Sequence, residues 1–341
     1  MSLAEAIKCE ARSLGFDAVG ISRVDESHSK SDVRSSEFSD NLEPRTSFTQ
    51  QLYARLAEWL RRGYYGAMAW MARDPSRRSD PRHVLPGCRS MISVGMNYYT
   101  DNRANETYGM GRIARYAWGK DYHSVMSQRL AQLEEKIATL APGVNTRSYV
   151  DTGPVMEKAW AQQAGLGWIG KHSNLVSAEF GSWLLLGEIL TTLELKEDEP
   201  ATDLCGSCTL CIQACPTGAI VEPYVVDARL CISYLTIELR GERAVVPDKL
   251  AAQIGNRIFG CDDCLDVCPF NLRADATSEP AFAPTPMTLA PSLQVLAETN
   301  EESFSTTFKE SPLKRAKHSG LLRNVGIAQE NLARQTGKRG S

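Results

Sequence analysis

The chain has 341 residues, 43% of them hydrophobic and 23% charged, with a formal net charge of −3. That is an ordinary globular composition, long enough for two domains or for one large domain with an insertion. No apolar run reaches the ~18 residues of a membrane span, nothing near the N terminus reads as a secretory signal, and the twin arginines Arg61-Arg62 and Arg77-Arg78 are interior, so a cytoplasmic protein without membrane contact is expected.

Leu3, Ile7, Ala11 and Leu14 stand at helical spacing and are stopped by Gly15, after which Phe16–Ile21 reads as a strand. Residues 26–47 are polar and serine-rich and read as a mobile loop. Leu52, Leu56, Trp59 and Leu60 predict a second helix ending near Gly63, and Met91–Met96 predicts a second strand. Met126, Leu130, Leu133, Ile137 and Leu140 predict a third helix closed by Pro142-Gly143. A strand over Thr146–Val150 then enters the turn Asp151-Thr-Gly-Pro154, followed by a helix from about Val155 to Ala164. The glycine-rich Gly165–Gly170 reads as a loop before an apolar strand pair around Leu175–Ser177 and Trp183–Thr191. Interleaved helices and strands predict an α+β or α/β domain over 1–195. An acidic linker joins it to a cysteine module over 196–275, and a short basic segment over 276–341 carries a helical patch near Leu321–Glu330.

Eight of the ten cysteines lie between Cys205 and Cys268. The run Cys205-x2-Cys208-x2-Cys211-x3-Cys215-Pro216 is the pattern in which three thiolates wrap one cubane and the fourth ligates another. Cys205, Cys208 and Cys211 should therefore share one 4Fe-4S cluster with Cys268. Cys215 should join Cys261 and Cys264 on a second, which Cys231 completes. Structural zinc is the alternative, but it needs only four ligands. Disulfides are disfavoured at such spacings in an intracellular chain. Cys9 and Cys88 fall outside the pattern and read as small buried hydrophobes.

Two clusters alone define an electron carrier, and nearly 200 preceding residues call for a second cofactor or a substrate. Asp151, between a strand and a helix, is the sharpest candidate there; position alone also suits a helix cap. Arg115–His123 and Lys171-His172 are further polar groups. Residues 309–341 carry eight Lys/Arg against Glu310 and Glu330, a net +6 that leaves −9 on the rest. Such a segment is either a phosphate-binding surface or a solvated tail.

Val150-Asp-Thr-Gly153, Gly167-Trp-Ile-Gly-Lys171, Arg115-Tyr-Ala-Trp-Gly-Lys-Asp-Tyr-His123, Cys231-Ile-Ser-Tyr-Leu-Thr236 and Gly255-Asn-Arg-Ile-Phe-Gly-Cys261 together resemble the epoxyqueuosine reductase family, from the first helix to about Asn324. The resemblance implies a nitroreductase-like cobalamin-binding domain followed by a ferredoxin-like module with two 4Fe-4S clusters and a short helical C terminus. It implies reduction of the epoxide of epoxyqueuosine at the tRNA wobble position, the last step of queuosine formation, by a monomer supplied by a low-potential electron donor. Asp151 becomes the proton donor, which near neutral pH calls for an apolar surround that raises its pKa. Arg78, Ala114, Glu157, Lys158, Lys171, His172 and Ser233 would surround the cobalamin; a related member has cysteine where Ala114 stands. Asp121-Tyr-His123 lacks the spacing of D-x-H-x-x-G, so base-off binding without a protein histidine is expected. With tRNA as substrate, Lys314, Arg315, Lys317 and Arg323 become phosphate contacts, and Tyr234 and Arg240 contacts to the anticodon loop. A cytosolic reductive dehalogenase and a non-enzymatic electron-transfer module are the competing readings.

Overall fold

The computed structural model describes residues 1–24, 46–240 and 244–337. The loop expected over 26–47 therefore lies, except for its last two residues, outside the described residues. Helix α1 (Leu3–Ser13) opens on a capping box in which Ser2 and Glu5 bond each other's amides, satisfying two of the donors a helix start leaves free. It ends before Gly15, whose φ of +85° suits glycine.

Four antiparallel strands form the central sheet: β1 (Ala18–Arg23), β2 (Ser90–Asn97), β3 (Thr146–Tyr149) and β4 (Leu184–Thr191), in the order β1-β2-β4-β3. All eight residues of β2 are buried, as a central strand covered on both faces requires. The period of two sorts them. Ile92, Val94, Met96, Leu185 and Ile189 pack with Ile7 and Ala11 of α1 and with Met126, Leu130, Leu133 and Ile137 of a long helix. Met91 and Leu190 pack on the opposite side with Leu52, Ala159 and Trp160. The covering helices are α2 (Phe48–Arg61), α3 (Tyr122–Leu140) and α4 (Glu157–Gln163). The α+β class expected from the alternating elements is the one observed. Among the described residues no helix is long and apolar enough to cross a membrane.

Two expectations are corrected. Leu175–Val176 does not pair with the strand that follows it but with Trp168–Ile169, inside the stretch read as a loop. Gly167 makes this possible: a Cβ there would stand 2.2 Å from the carbonyl oxygen of Val176, so only a bare backbone approaches so closely. The final helix is also longer than the patch predicted near 321–330. It is α5, Lys317–Gly337.

The packing runs across the expected domain boundaries. Leu265 and Phe282 belong to the same core as α1. Leu321, Val325 and Ala328 of α5 join Ile113, Trp118, Ile258, Phe259, Phe304 and Phe308 in another. Arg112–Ile113 pairs in parallel with Arg257–Phe259, which ties the first part of the chain to the cysteine module. Asn324, 1% exposed, fastens α5 to that seam by donating to the carbonyls of Thr236 (2.8 Å) and Ile258 (2.9 Å). Replacing it strands two buried carbonyls, each costing about 1–3 kcal/mol. Asn324→Ala should therefore lose about 3 kcal/mol in chemical denaturation; a loss below about 0.5 kcal/mol would contradict this role.

Candidate active site and cysteine tetrads

The strand β3 delivers the chain into a tight turn in which Asp151 adopts φ 57°, a left-handed conformation uncommon outside glycine. Its amide donates to Glu157 Oε1 at 2.6 Å. The turn closes against the Tyr149 ring, which a Cβ on Gly153 would meet at 2.4 Å. Asp151 does not cap α4, because that helix starts at Glu157 behind Met156 without a side-chain cap.

The Asp151 carboxylate faces the start of α3. Tyr122 donates its hydroxyl to Oδ2 at 3.2 Å, and His123 Nε2 lies 3.5 Å from the same oxygen. The other imidazole nitrogen, Nδ1, is 2.7 Å from Asp121 Oδ1, and the Tyr122 and His123 rings stack with centroids 4.1 Å apart. Asp121 is the N-cap of α3 and accepts from the His123 amide at 3.0 Å, so one capping residue fixes both the helix start and the ring.

Electrostatics divide the protons unevenly. Burial opposes charge on His123, but hydrogen bonds and charges from Asp121 and Asp151 outweigh it and push its pKa up to about 9. The hydrogen bond and charge of His123, together with the Tyr122 hydroxyl, hold Asp151 below the ordinary carboxylate range. The raised pKa expected of Asp151 depends on an apolar surround, whereas the protein's own neighbours of this carboxylate are the Tyr122 hydroxyl and the His123 imidazole. The raised carboxyl is Glu157, pushed up to about 8 by burial and by the Asp151 charge. The Asp151 side chain is 63% exposed and Lys158 is exposed as well, yet the surrounding protein desolvates both, as in a cleft open to solvent. Lys158 donates to Ser173 O (2.9 Å) and Asn174 Oδ1 (2.8 Å), and the protein packed around it, though its surface stays open to water, desolvates the ammonium and lowers its pKa. Arg78, whose pKa burial also lowers, faces Glu157 and Asp151 electrostatically and lies over the Trp70 ring at 5.4 Å.

The cysteines gather in two groups. Cys211 lies within electrostatic range of Cys205, Cys208 and Cys268, and Cys264 within range of Cys261, Cys231 and Cys215. Among the described residues no three His, Cys, Asp or Glu side chains converge tightly enough to hold a single metal ion. The thiols also receive N–H donors, as cluster ligands do: Trp168 Nε1 lies 3.4 Å from Cys205 Sγ and the Ala219 amide 3.2 Å from Cys215 Sγ. Lys158 senses Cys231 and Cys264 as well as Asp151, so the second group adjoins the acid cleft. Cys88 is buried as expected, whereas Cys9 is exposed.

Arg78, Glu157 and Lys158 thus gather with Asp151. Ser233 follows Cys231 at the second tetrad, and Ala114, 4% exposed, packs on Gly260 beside Cys261. Lys171 lies at the first tetrad, donating to the carbonyls of Gly206 (2.6 Å) and Cys208 (2.9 Å). His172 is buried against Ser182, and burial with the Lys158 charge brings its pKa down to about 4.

Two expected tRNA contacts are corrected. Tyr234 is 8% exposed and its hydroxyl accepts from the Ala67 amide at 2.6 Å, leaving no open ring face for a base. Arg323 donates to the carbonyls of Leu235 (2.7 Å) and Leu239 (2.6 Å), so its guanidinium holds α5 in place. Arg315 grips Glu238 at 2.8 Å, as does Arg240, and Arg315 is within electrostatic range of Asp151 and Tyr122. Lys314 is exposed and acts on Asp121, and Lys317 is exposed at the start of α5. The basic segment therefore returns to the rim of the cleft. Sequence reasoning missed Tyr122 and His123 as partners of Asp151; the signal was an Asp-x-His step at a helix start.

Two thiol tetrads beside a carboxylate-lined cleft define an iron–sulfur oxidoreductase, and residues 204–271 match the family model of a 4Fe-4S double cluster binding domain. Residues 78–152, which end just past Asp151, match the model of epoxyqueuosine reductase QueG, DUF1730. The epoxyqueuosine reductase of Gloeobacter violaceus is 44% identical over 97% of this chain and 98% of its own length; that of Escherichia coli is 41% identical over 96% and 81%. The chain belongs to the epoxyqueuosine reductase family. A solved epoxyqueuosine reductase bound to an epoxyqueuosine-modified tRNA-Tyr stem loop superposes with a TM-score of 0.83 at 31% identity, covering 97% of this chain and 81% of that one. The Bacillus subtilis enzyme, captured with its catalytic aspartate loop swung out of the active site, gives 0.83 at 29% identity, covering 97% and 82%.

Glu157 makes stability depend on pH. Its ordinary pKa is 4.5 and its folded value about 8, so across that window the folded chain holds a proton the unfolded chain has released, and stability falls as pH rises. Glu157→Gln removes that loss. Its melting temperature should match the native chain at pH 5 and exceed it at pH 8.5 by on the order of 2 °C; equal melting at both pH values would show that Glu157 ionises normally.

Proposed function

We propose that this chain reduces the epoxide of tRNA-borne epoxyqueuosine to the cyclopentene of queuosine at a cobalamin seated over Asp151, with electrons passed through two 4Fe-4S clusters. The observation that carries this reading is a proton-holding site, Asp151 with His123 and Glu157, beside Lys158, which lies within electrostatic range of the thiols of Cys231 and Cys264. The residues present suit the cofactors. Each tetrad offers four thiols with N–H donors near at hand, and the cleft offers Arg78, Glu157 and Lys158 for corrin amides and phosphate. Cobalamin, when bound there, would supply the low-potential electrons that cleavage of the strained C–O bonds requires.

The protein's own groups do the rest. Epoxide to alkene takes two electrons and two protons and releases water. As each C–O bond breaks, oxygen gains negative charge, and the proton shared by Asp151 and His123 is passed to it from the Asp151 carboxyl. Cys205, Cys208, Cys211 and Cys268 hold the outer cluster; Cys215, Cys231, Cys261 and Cys264 hold the inner one, nearer Lys158. Lys314 and Arg315, at the rim of the cleft, meet anticodon-stem phosphates, with Arg240 and Lys317 flanking them.

Anaerobically reconstituted, corrin-loaded protein with a low-potential reductant should convert epoxyqueuosine-containing tRNA to a nucleoside lighter by one oxygen on mass spectrometry. Asp151→Asn should slow that conversion by ~10²-fold or more. No conversion by the native chain would sink the proposal, and full turnover by Asp151→Asn would remove its acid. In the Cys231→Ala variant, iron should fall from about eight to about four atoms per chain. Unchanged iron would assign the inner cluster another ligand.

A further inference from the structure

The Asp121–His123–Asp151 chain goes beyond a single acid, and the role inferred for it rests on the reading of Asp151 as the proton donor. One imidazole bridges two carboxylates, with Nδ1 at 2.7 Å from Asp121 and Nε2 at 3.5 Å from Asp151. Asp121 is itself fixed as the cap of α3, and the Tyr122 ring, stacked on His123, prevents the imidazole from tilting away. The His123 side chain remains 34% exposed, so one edge reaches water while the other faces the reacting carboxylate.

We infer that His123, oriented by Asp121, is the positioning residue that supplies protons to Asp151, so that one carboxyl delivers both protons of the reaction. At rest Asp151 is a carboxylate and the proton lies on His123. As the first C–O bond breaks, the Nε2–H bond of His123 breaks, the proton passes through an Asp151 oxygen to the alkoxide and a hydroxyl forms, while Nδ1–H stays bonded to Asp121. Asp151 donates again as the second C–O bond breaks and water leaves. The cofactor supplies the two electrons, and His123 recovers its proton from solvent. A single acid must otherwise be reprotonated by bulk water while a nucleotide covers the cleft.

The surrounding charges agree with this division. His123 faces Asp121 and Asp151 directly; Lys314 acts on Asp121, and Arg315 on Asp151 and Tyr122. Lys158, Glu157 and Arg78 border Asp151 on the opposite side, and Tyr116 meets the Tyr122 ring edge-on at 6.1 Å. The two carboxylates dominate, and the imidazole holds its proton to about pH 9.

The test titrates the His123 imidazole by NMR in the native chain, Asp121→Asn and Asp151→Asn, and pairs it with single-turnover pH profiles. The native pKa should lie near 9 and drop toward 6.5 in both variants. The alkaline limb of the native profile should coincide with it and move acidward in Asp121→Asn. His123→Gln should be slower by ~10²-fold, lose that limb and regain rate with added imidazole. An imidazole pKa indifferent to Asp151→Asn, or a limb unmoved by Asp121→Asn, overturns the relay. Because the titration needs neither cobalamin nor tRNA, it judges the relay even where native turnover fails and the functional reading falls.

Discussion

The hydrogen bond from the Asp151 amide to Glu157, 2.6 Å long, is the constraint on which the site depends. It holds a non-glycine residue at φ 57°, a conformation that costs of order 1 kcal/mol or more unless its surroundings impose it. The acceptor opens α4, which packs on the central sheet through Ala159 and Trp160. The carboxylate is consequently aimed at the first turn of α3 rather than at its own helix.

Around this turn the fold brings together groups far apart in sequence. The sheet supplies β3 and its turn, α3 supplies Tyr122 and His123, and the cysteine module supplies Cys231 and Cys264 near Lys158. The parallel contact of Arg112–Ile113 with Arg257–Phe259 and the Asn324 bonds hold module and sheet in register. In the proposed function, electron delivery and proton delivery converge on one cleft, and neither works alone: breaking a C–O bond without an acid leaves an oxyanion in a site poorly able to solvate it.

Much of this is legible in the sequence because it is local. The cysteine spacings name two tetrads, and the same groupings lie within mutual electrostatic range. Periodicity locates α1, β2, α3 and β4 to within a few residues. What stays hidden depends on contacts between distant segments. Nothing at Leu175–Val176 announces that its partner is Trp168–Ile169 rather than the next strand. Arg323 carries the same charge whether it reaches a phosphate or three inward acceptors, and only the packing of α5 decides. The lowered pKa of Asp151 is hidden for the same reason, since its neighbour His123 is 28 positions away and appears only when α3 is set beside β3.

Central to the proposed function is that the cluster held by Cys215, Cys231, Cys261 and Cys264 feeds a cofactor standing over Asp151. Electron paramagnetic resonance on cobalamin-loaded, partly reduced protein tests this directly. Paramagnetic cobalt should show dipolar coupling to the inner cluster, and the coupling should vanish in Cys231→Ala while the outer cluster's signal persists. Uncoupled cobalt and cluster signals in the native protein would separate the electron path from the acid site and contradict the account.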